Sequence, residues 1–222
     1  MRRFLPAVAA TLALLGTAHA SVVTRDTVAD TYVRGGSASG VNYGSDTFLR
    51  AERSESVDPQ RLFRAVLVRF DVGPAGGIED AILHLTQFSD GAQQVQVLGA
   101  TDGLDGWDEA AVTYDSAAAA GLLATQTFAD LGTVALTSGG AGGALTLTGA
   151  ALDAFLNAAG ADGLVTFVMV SALPLDRTGA RFASRENGVL DGPMLSYTQV
   201  PLPGAVALFA PMLGLATWRR AS

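Results

Sequence analysis

Residues 61–72, Arg-Leu-Phe-Arg-Ala-Val-Leu-Val-Arg-Phe-Asp-Val, admit few folds. Val66, Val68, Phe70 and Val72 fall on one side of a period-two pattern, and Ala65, Leu67, Arg69 and Asp71 on the other. This is the alternation of a β-strand with one uniformly apolar face. That face must be buried; the other, with its Arg and Asp, is expected to be partly exposed or to build a polar site. Strand-like runs recur at 22–28, 29–34, 47–53, 78–88, 95–98, 128–136, 144–147, 164–170, 181–186 and 194–197, separated by Gly- and Asp-rich turns. No βαβ rhythm is present, so the chain is expected to be all-β, an antiparallel sandwich. One short helix is expected after Thr148, which can cap it. Leu152, Phe155, Leu156 and Ala159 would line one side, Gly160 would stop it, and the helix would plug one end of the sandwich.

The absence of Cys excludes disulfides and thiolate metal sites. All fourteen basic residues are Arg, and four of them lie in the terminal segments. Between residues 21 and 197 ten Arg stand against twenty-one Asp and Glu, leaving −11. General attraction to nucleic acid or to an anionic membrane is therefore not expected, and an anionic partner would need a local Arg cluster.

The two ends read as addresses. Met1-Arg-Arg3, the apolar run 4–16 and Ala18-His-Ala20 have the charged, apolar and small-residue parts of a secretory signal peptide at residues 1–20. The apolar run is well short of the roughly twenty residues that span a bilayer. Residues 199–222 contain Val200-Pro-Leu-Pro-Gly204, an apolar stretch and Arg219-Arg220. This tail resembles the PEP-CTERM sorting signals of Gram-negative bacteria, in the variant that carries Val-Pro-Leu-Pro. That resemblance implies transient inner-membrane contact, cleavage by an exosortase and release to the cell surface or the exopolysaccharide matrix.

Between the ends, residues 21–198 form one domain. Ala29-Asp-Thr-Tyr-Val33, Asn42-Tyr-Gly44, Arg69-Phe-Asp71, Ala81-Ile-Leu-His-Leu85, Trp107-Asp-Glu109, Phe182-Ala-Ser-Arg-Glu186 and Pro193-Met-Leu195 follow in order. Together they resemble the DNRLRE domain, also classed as carbohydrate-binding module family ninety-six. The resemblance implies a jelly-roll-like β-sandwich that binds rather than catalyses, and relatives that hold alginate-type polysaccharide. Tyr114 stands where that family frequently has Trp.

Six domain Arg, at 34, 50, 53, 61, 64 and 69, fall on segments that can be neighbours. A guanidinium grips a carboxylate through two parallel hydrogen bonds, so such a cluster suits the uronate groups of an acidic polysaccharide. The expected ligand-binding set is Tyr32, Arg34, Tyr43, Arg50, Arg53, Arg64, Arg69 and Arg185. The two tyrosines offer flat faces to a sugar ring, and Arg185 enters because the resemblance passes through it. The alternative is that these Arg pair with the abundant acids on a solvated face. Trp107 is expected to anchor its loop from a buried position under the helix, with stacking on a sugar as the alternative. Asp102, Asp105, Asp108 and Glu109 invite a structural Ca²⁺, Asp30 and Asp46 being no better candidates, and the sequence does not choose its ligands. Catalysis has little support: His84 is the one histidine beyond the leader, and no nucleophile elbow is present. The function expected is a secreted, non-catalytic domain that associates with an acidic, alginate-like exopolysaccharide. A structural or adhesive matrix protein is the alternative, and a polysaccharide lyase a weaker one.

Overall fold

The computed structural model describes residues 19–53, 63–73, 77–88, 93–172 and 179–200. The leader-like run, Arg61 and the tail beyond residue 200 lie outside them. Eleven strands follow one another among the described residues: β1 (Ser21–Asp26), β2 (Ala29–Arg34), β3 (Phe48–Ala51), β4 (Arg64–Asp71), β5 (Ile78–Thr86), β6 (Gln93–Gly99), β7 (Ala129–Leu136), β8 (Ala144–Thr148), β9 (Leu164–Ser171), β10 (Ala180–Ala183) and β11 (Met194–Gln199). Their pairings are antiparallel throughout and make sheets of order β2-β4-β9-β6-β7, β1-β11-β5-β8 and β10-β3. The expected all-β sandwich is the observed architecture.

The alternation in 64–71 sets the inner face. Val66, Val68 and Phe70 point into a core shared with Phe167 and Met169 of β9, Leu83 and Leu85 of β5, and Leu195 and Tyr197 of β11. The rings of Phe70 and Phe167 meet edge to face at 5.7 Å. β9 lies between β4 and β6 and is apolar on both sides, as its near-continuous apolar sequence requires.

The outer face of β4 meets expectation at its end, where Arg69 is half-buried and Asp71 exposed, and departs from it at its start. Ala65 and Leu67 are fully buried, because residues 100–128 fold back over the five-stranded sheet and build a second apolar layer from Trp107, Val112, Ala117 and Leu122. Within this excursion lies a second short helix, α1 (Tyr114–Ala119), where one helix in the whole chain was expected. Thr113 and Ser116 form a reciprocal capping box around its first turn, and the alanines that follow are strong helix formers.

The expected end plug is α2 (Ala150–Asn157), with Leu152 and Leu156 fully buried. Its cap is Gly149 and not Thr148, which ends β8. Two polar side chains moor the helix: Asp153 accepts from the Ala81 N–H at 2.9 Å, and Asn157 bonds both the N–H and the carbonyl of Ile78 at 2.9 and 2.7 Å. Phe155 lies so close to Gly99 that a Cβ there would overlap its ring. Around the starts of β4 and the end of β5, the small β3-β10 sheet closes the sandwich through bridges from Glu52 to Arg64 and from Gln87 to Phe182.

Burial of both β4 faces is testable by truncation. Leu67→Ala is expected to cost about 2–5 kcal/mol in urea unfolding, the range for a buried leucine, whereas an exposed position would change stability by about 0.5 kcal/mol or less.

Candidate functional site

The β2-β3-β4 corner gathers three of the expected arginines. Arg34 and Arg64 are cross-strand partners in the β2-β4 register. Glu52, one residue beyond β3, bonds the Arg64 backbone in both directions at 3.0 and 2.8 Å. Its carboxylate takes Arg50 at 2.9 Å, and the same oxygen is in ion-pair contact with Arg64. Glu52 and Arg64 are both buried. Burial is the main cause that lowers the Arg64 pKa to about 10, and the positive charges of Arg50 and Arg34 lower it further. Arg64 therefore remains cationic at neutral pH inside a crowd of like charge. The buried Nε of Arg34 makes no hydrogen bond. Arg53 follows in an exposed position.

A fourth cation joins the corner that sequence reading did not place there. Arg181 is the cross-strand partner of Arg50 in the β10-β3 register, and its guanidinium lies over the Phe48 ring at 5.1 Å. Beside these cations runs a row of stacked rings. Tyr43 and Tyr32 are 4.4 Å apart, Tyr32 and Phe48 6.0 Å, Phe48 and Phe88 5.6 Å, with interplanar angles of 22°, 19° and 28°. Tyr32 is buried between its neighbours, and its hydroxyl donates to Asp46 at 2.9 Å. Burial first, and then Asp46, push its ionisation above the ordinary phenol range. The half-buried rings are Tyr43, Phe48 and Phe88. Phe88 also lines a surface cavity of about 480 Å³ with Thr47, Asn187, Val189 and Leu190.

Arg69 does not belong to this corner. It is five residues from Arg64 and so projects from the opposite face of β4. There it donates to the carbonyls of Asp105 and Trp107, each at 2.6 Å, and its guanidinium stacks on the Trp107 ring at 5.0 Å. Trp107 is buried, and its indole N–H donates to the Thr166 hydroxyl at 3.1 Å. Arg69 is thus a clamp that holds the covering layer onto the sheet.

Arg185 lies in a different polar node. Its backbone N–H donates to Asp30 at 3.0 Å, and its guanidinium donates to the Val28 carbonyl at 2.9 Å, to Glu186 at 2.7 Å and to Glu109. Glu109 also accepts from the Asp30 N–H at 2.7 Å. Burial above all raises the Asp30 pKa to about 7; the bond from Arg185 opposes this, while Glu186 and Glu109 add to it. Asn42 donates to the carbonyls of Glu109 and Val112 at 2.7 Å each, and Gly44 sits where any Cβ would overlap the Glu109 carbonyl oxygen. Several landmarks that are scattered in sequence therefore meet here.

The acids considered for Ca²⁺ are separated by the fold. Asp102 and Asp105 group with Asp162, Glu109 groups with Asp30 and Glu186, and Asp108 accepts from the N–H of Ala110 in its own turn. His84 pairs with the Ser196 hydroxyl across β5 and β11 at 2.8 Å.

A family model described as carbohydrate-binding module family 96 matches residues 21–135, more than half of the chain. The match spans the whole corner except Arg181. No curated protein matches the chain significantly.

The clamp role separates Arg69 from the other arginines. Arg69→Ala is expected to lower unfolding stability by about 2–4 kcal/mol, through the loss of charge-assisted hydrogen bonds and the ring contact. Arg53→Ala, at an exposed position, is expected to change it by about 0.5 kcal/mol or less in the same denaturation assay.

Proposed function

We propose a function from one premise: the chain belongs to carbohydrate-binding module family 96 and so carries a carbohydrate-binding domain. The ligand we assign is an acidic, uronate-bearing polysaccharide of the alginate type, held at the β2-β3-β4 corner. The observation that carries this reading is the pairing of Arg50 and Arg64 with a single buried acid, Glu52, beside Arg34, which is near enough to lower the Arg64 pKa. Among the described residues Arg34 and Arg181 make no ion pair, and Arg64 shares the Glu52 oxygen with Arg50. In a domain of −11 such a surplus is out of character, and uronate carboxylates would relieve it. Arg64 is buried and fixes Glu52, while the half-buried Arg34, Arg50 and Arg181 are the groups placed to meet a ligand. Tyr43 and Phe88, the two ends of the stacked row, supply apolar ring faces against which the C–H faces of a pyranose can pack. The role is binding without a covalent step.

The same reading puts the protein outside the cell, at the surface or in the matrix of a Gram-negative bacterium. Its support is the leader-like start and the Val-Pro-Leu-Pro tail with its terminal Arg pair, which would bring the chain briefly to the inner membrane and to an exosortase.

The test is affinity electrophoresis of the purified chain through gels containing alginate, other uronate polymers or neutral glucans. Uronate gels alone are expected to retard it, with the effect weakening as salt rises. Arg34→Ala combined with Arg50→Ala is expected to weaken binding about tenfold or more, and Arg181→Ala by a few fold. Equal retardation by neutral glucans, or full retardation of the double variant, would sink the acidic-ligand assignment. No retardation in any gel would instead favour a structural matrix role.

A further inference from the structure

The node around Asp30 carries more negative charge than its surroundings neutralise. Asp30, Glu109 and Glu186 each place a carboxylate oxygen within 4.8 Å of the others. Among the described residues the cation in contact with them is Arg185. Three carboxylates and one guanidinium sum to −2 when all are ionised. The guanidinium takes Glu186 Oε1 and Glu109 Oε2, and the Asp30 N–H donates to Glu109 Oε1.

Two oxygens remain without a hydrogen-bond partner, Asp30 Oδ1 and Glu186 Oε2, and both are buried. Asp30 is only 1% exposed. A buried anionic oxygen with no donor is the arrangement that proteins avoid, unless a cation or an ordered water completes it. The second acidic group, Asp102, Asp105 and Asp162, differs on both counts: two of its members are exposed and none of its oxygens is buried without a partner.

We infer that Asp30, Glu109 and Glu186 form a binding site for one divalent cation, of the Ca²⁺ class. The donors are all carboxylate oxygens, which suit a hard ion, and a dipositive charge closes the local sum. Two ligands on opposite sides of Ca²⁺, each at about 2.4 Å, stand about 4.8 Å apart, so the cluster needs no contraction to hold it. Ca²⁺ also accepts irregular geometry and fills its remaining positions with water, whereas Mg²⁺ demands a near-ideal octahedron that three clustered carboxylates do not supply. The three ligands come from β2, from the covering layer and from the segment after β10. The ion would fasten these distant parts together at the edge of the five-stranded sheet.

The test is thermal unfolding of the chelator-stripped chain with and without Ca²⁺, together with calorimetric titration. The expected results are one ion per chain and a rise in Tm of about 5–10 °C at a hundredfold excess over Kd. Asp30→Asn and Glu186→Gln should each abolish the rise, while Asp162→Asn should leave it intact. Glu186 is only partly buried, so its Gln variant keeps the test open if the Asp30 variant fails to fold. An unchanged Tm at about 10 mM Ca²⁺, above the range of extracellular Ca²⁺ modules, overturns the site. So does a rise that survives in Glu186→Gln or is lost only in Asp162→Asn. The readout is thermal and does not depend on any glycan.

Discussion

The burial of β4 and β9 on both faces is the constraint from which the rest of the structure follows. A strand that is apolar on two sides needs two covers. The inner cover is the opposing sheet with β5 and β11, and the outer is the excursion 100–128. That excursion is poor in large apolar residues and has only one six-residue helix, so it cannot hold its place by burial alone. Polar ties secure it: Arg69 grips two of its carbonyls, Trp107 reaches Thr166, and Asn42 and Arg185 take hold of Glu109 and its carbonyl. The polar residues that mark the resemblance in sequence are, in large part, these ties. Arg69 is explained by this need, and its charge carries no implication for a ligand.

How much of this was legible in the sequence depended on the range of the interaction. Period-two alternation places the inner face of β4 correctly, because it is set within the strand. The apolar run 164–170, broken only by Thr166, announces a central strand, because it too is a property of one segment. The outer cover was not legible, since Gly- and Ala-rich sequence looks like loop until something is known to lie beneath it. The opposite facing of Arg64 and Arg69 follows from their odd separation alone. The meeting of Arg34, Arg50 and Arg64 needs two strand pairings, and the arrival of Arg181 needs a third, between segments 131 residues apart in the Arg50–Arg181 pair. No local pattern encodes those pairings. The split of the acids into two groups was hidden likewise, because Asp162 and Asp30 reach them only through the tertiary fold.

The edge strand β2 sets these features in sequence along one face. Asp30, Tyr32 and Arg34 alternate with Thr31 and Val33, so the carboxylate node, the stacked rings and the arginine corner succeed one another on the same side. Asp30 and Arg34 are four residues apart, about 13–14 Å along an extended strand. The Debye length at physiological ionic strength is about 8 Å. Where the two ends meet solvent, each is therefore largely screened from the other, and the ring row between them is uncharged. This separation answers the objection that a domain of −11 should repel a polyanion. Net charge governs the approach from a distance, where salt weakens it; within a few ångströms of the corner the proposed uronate would meet mainly Arg34, Arg50 and Arg181. A guanidinium close to a carboxylate acts inside the screening length, and so the local surplus, not the sum over the chain, decides what the corner holds.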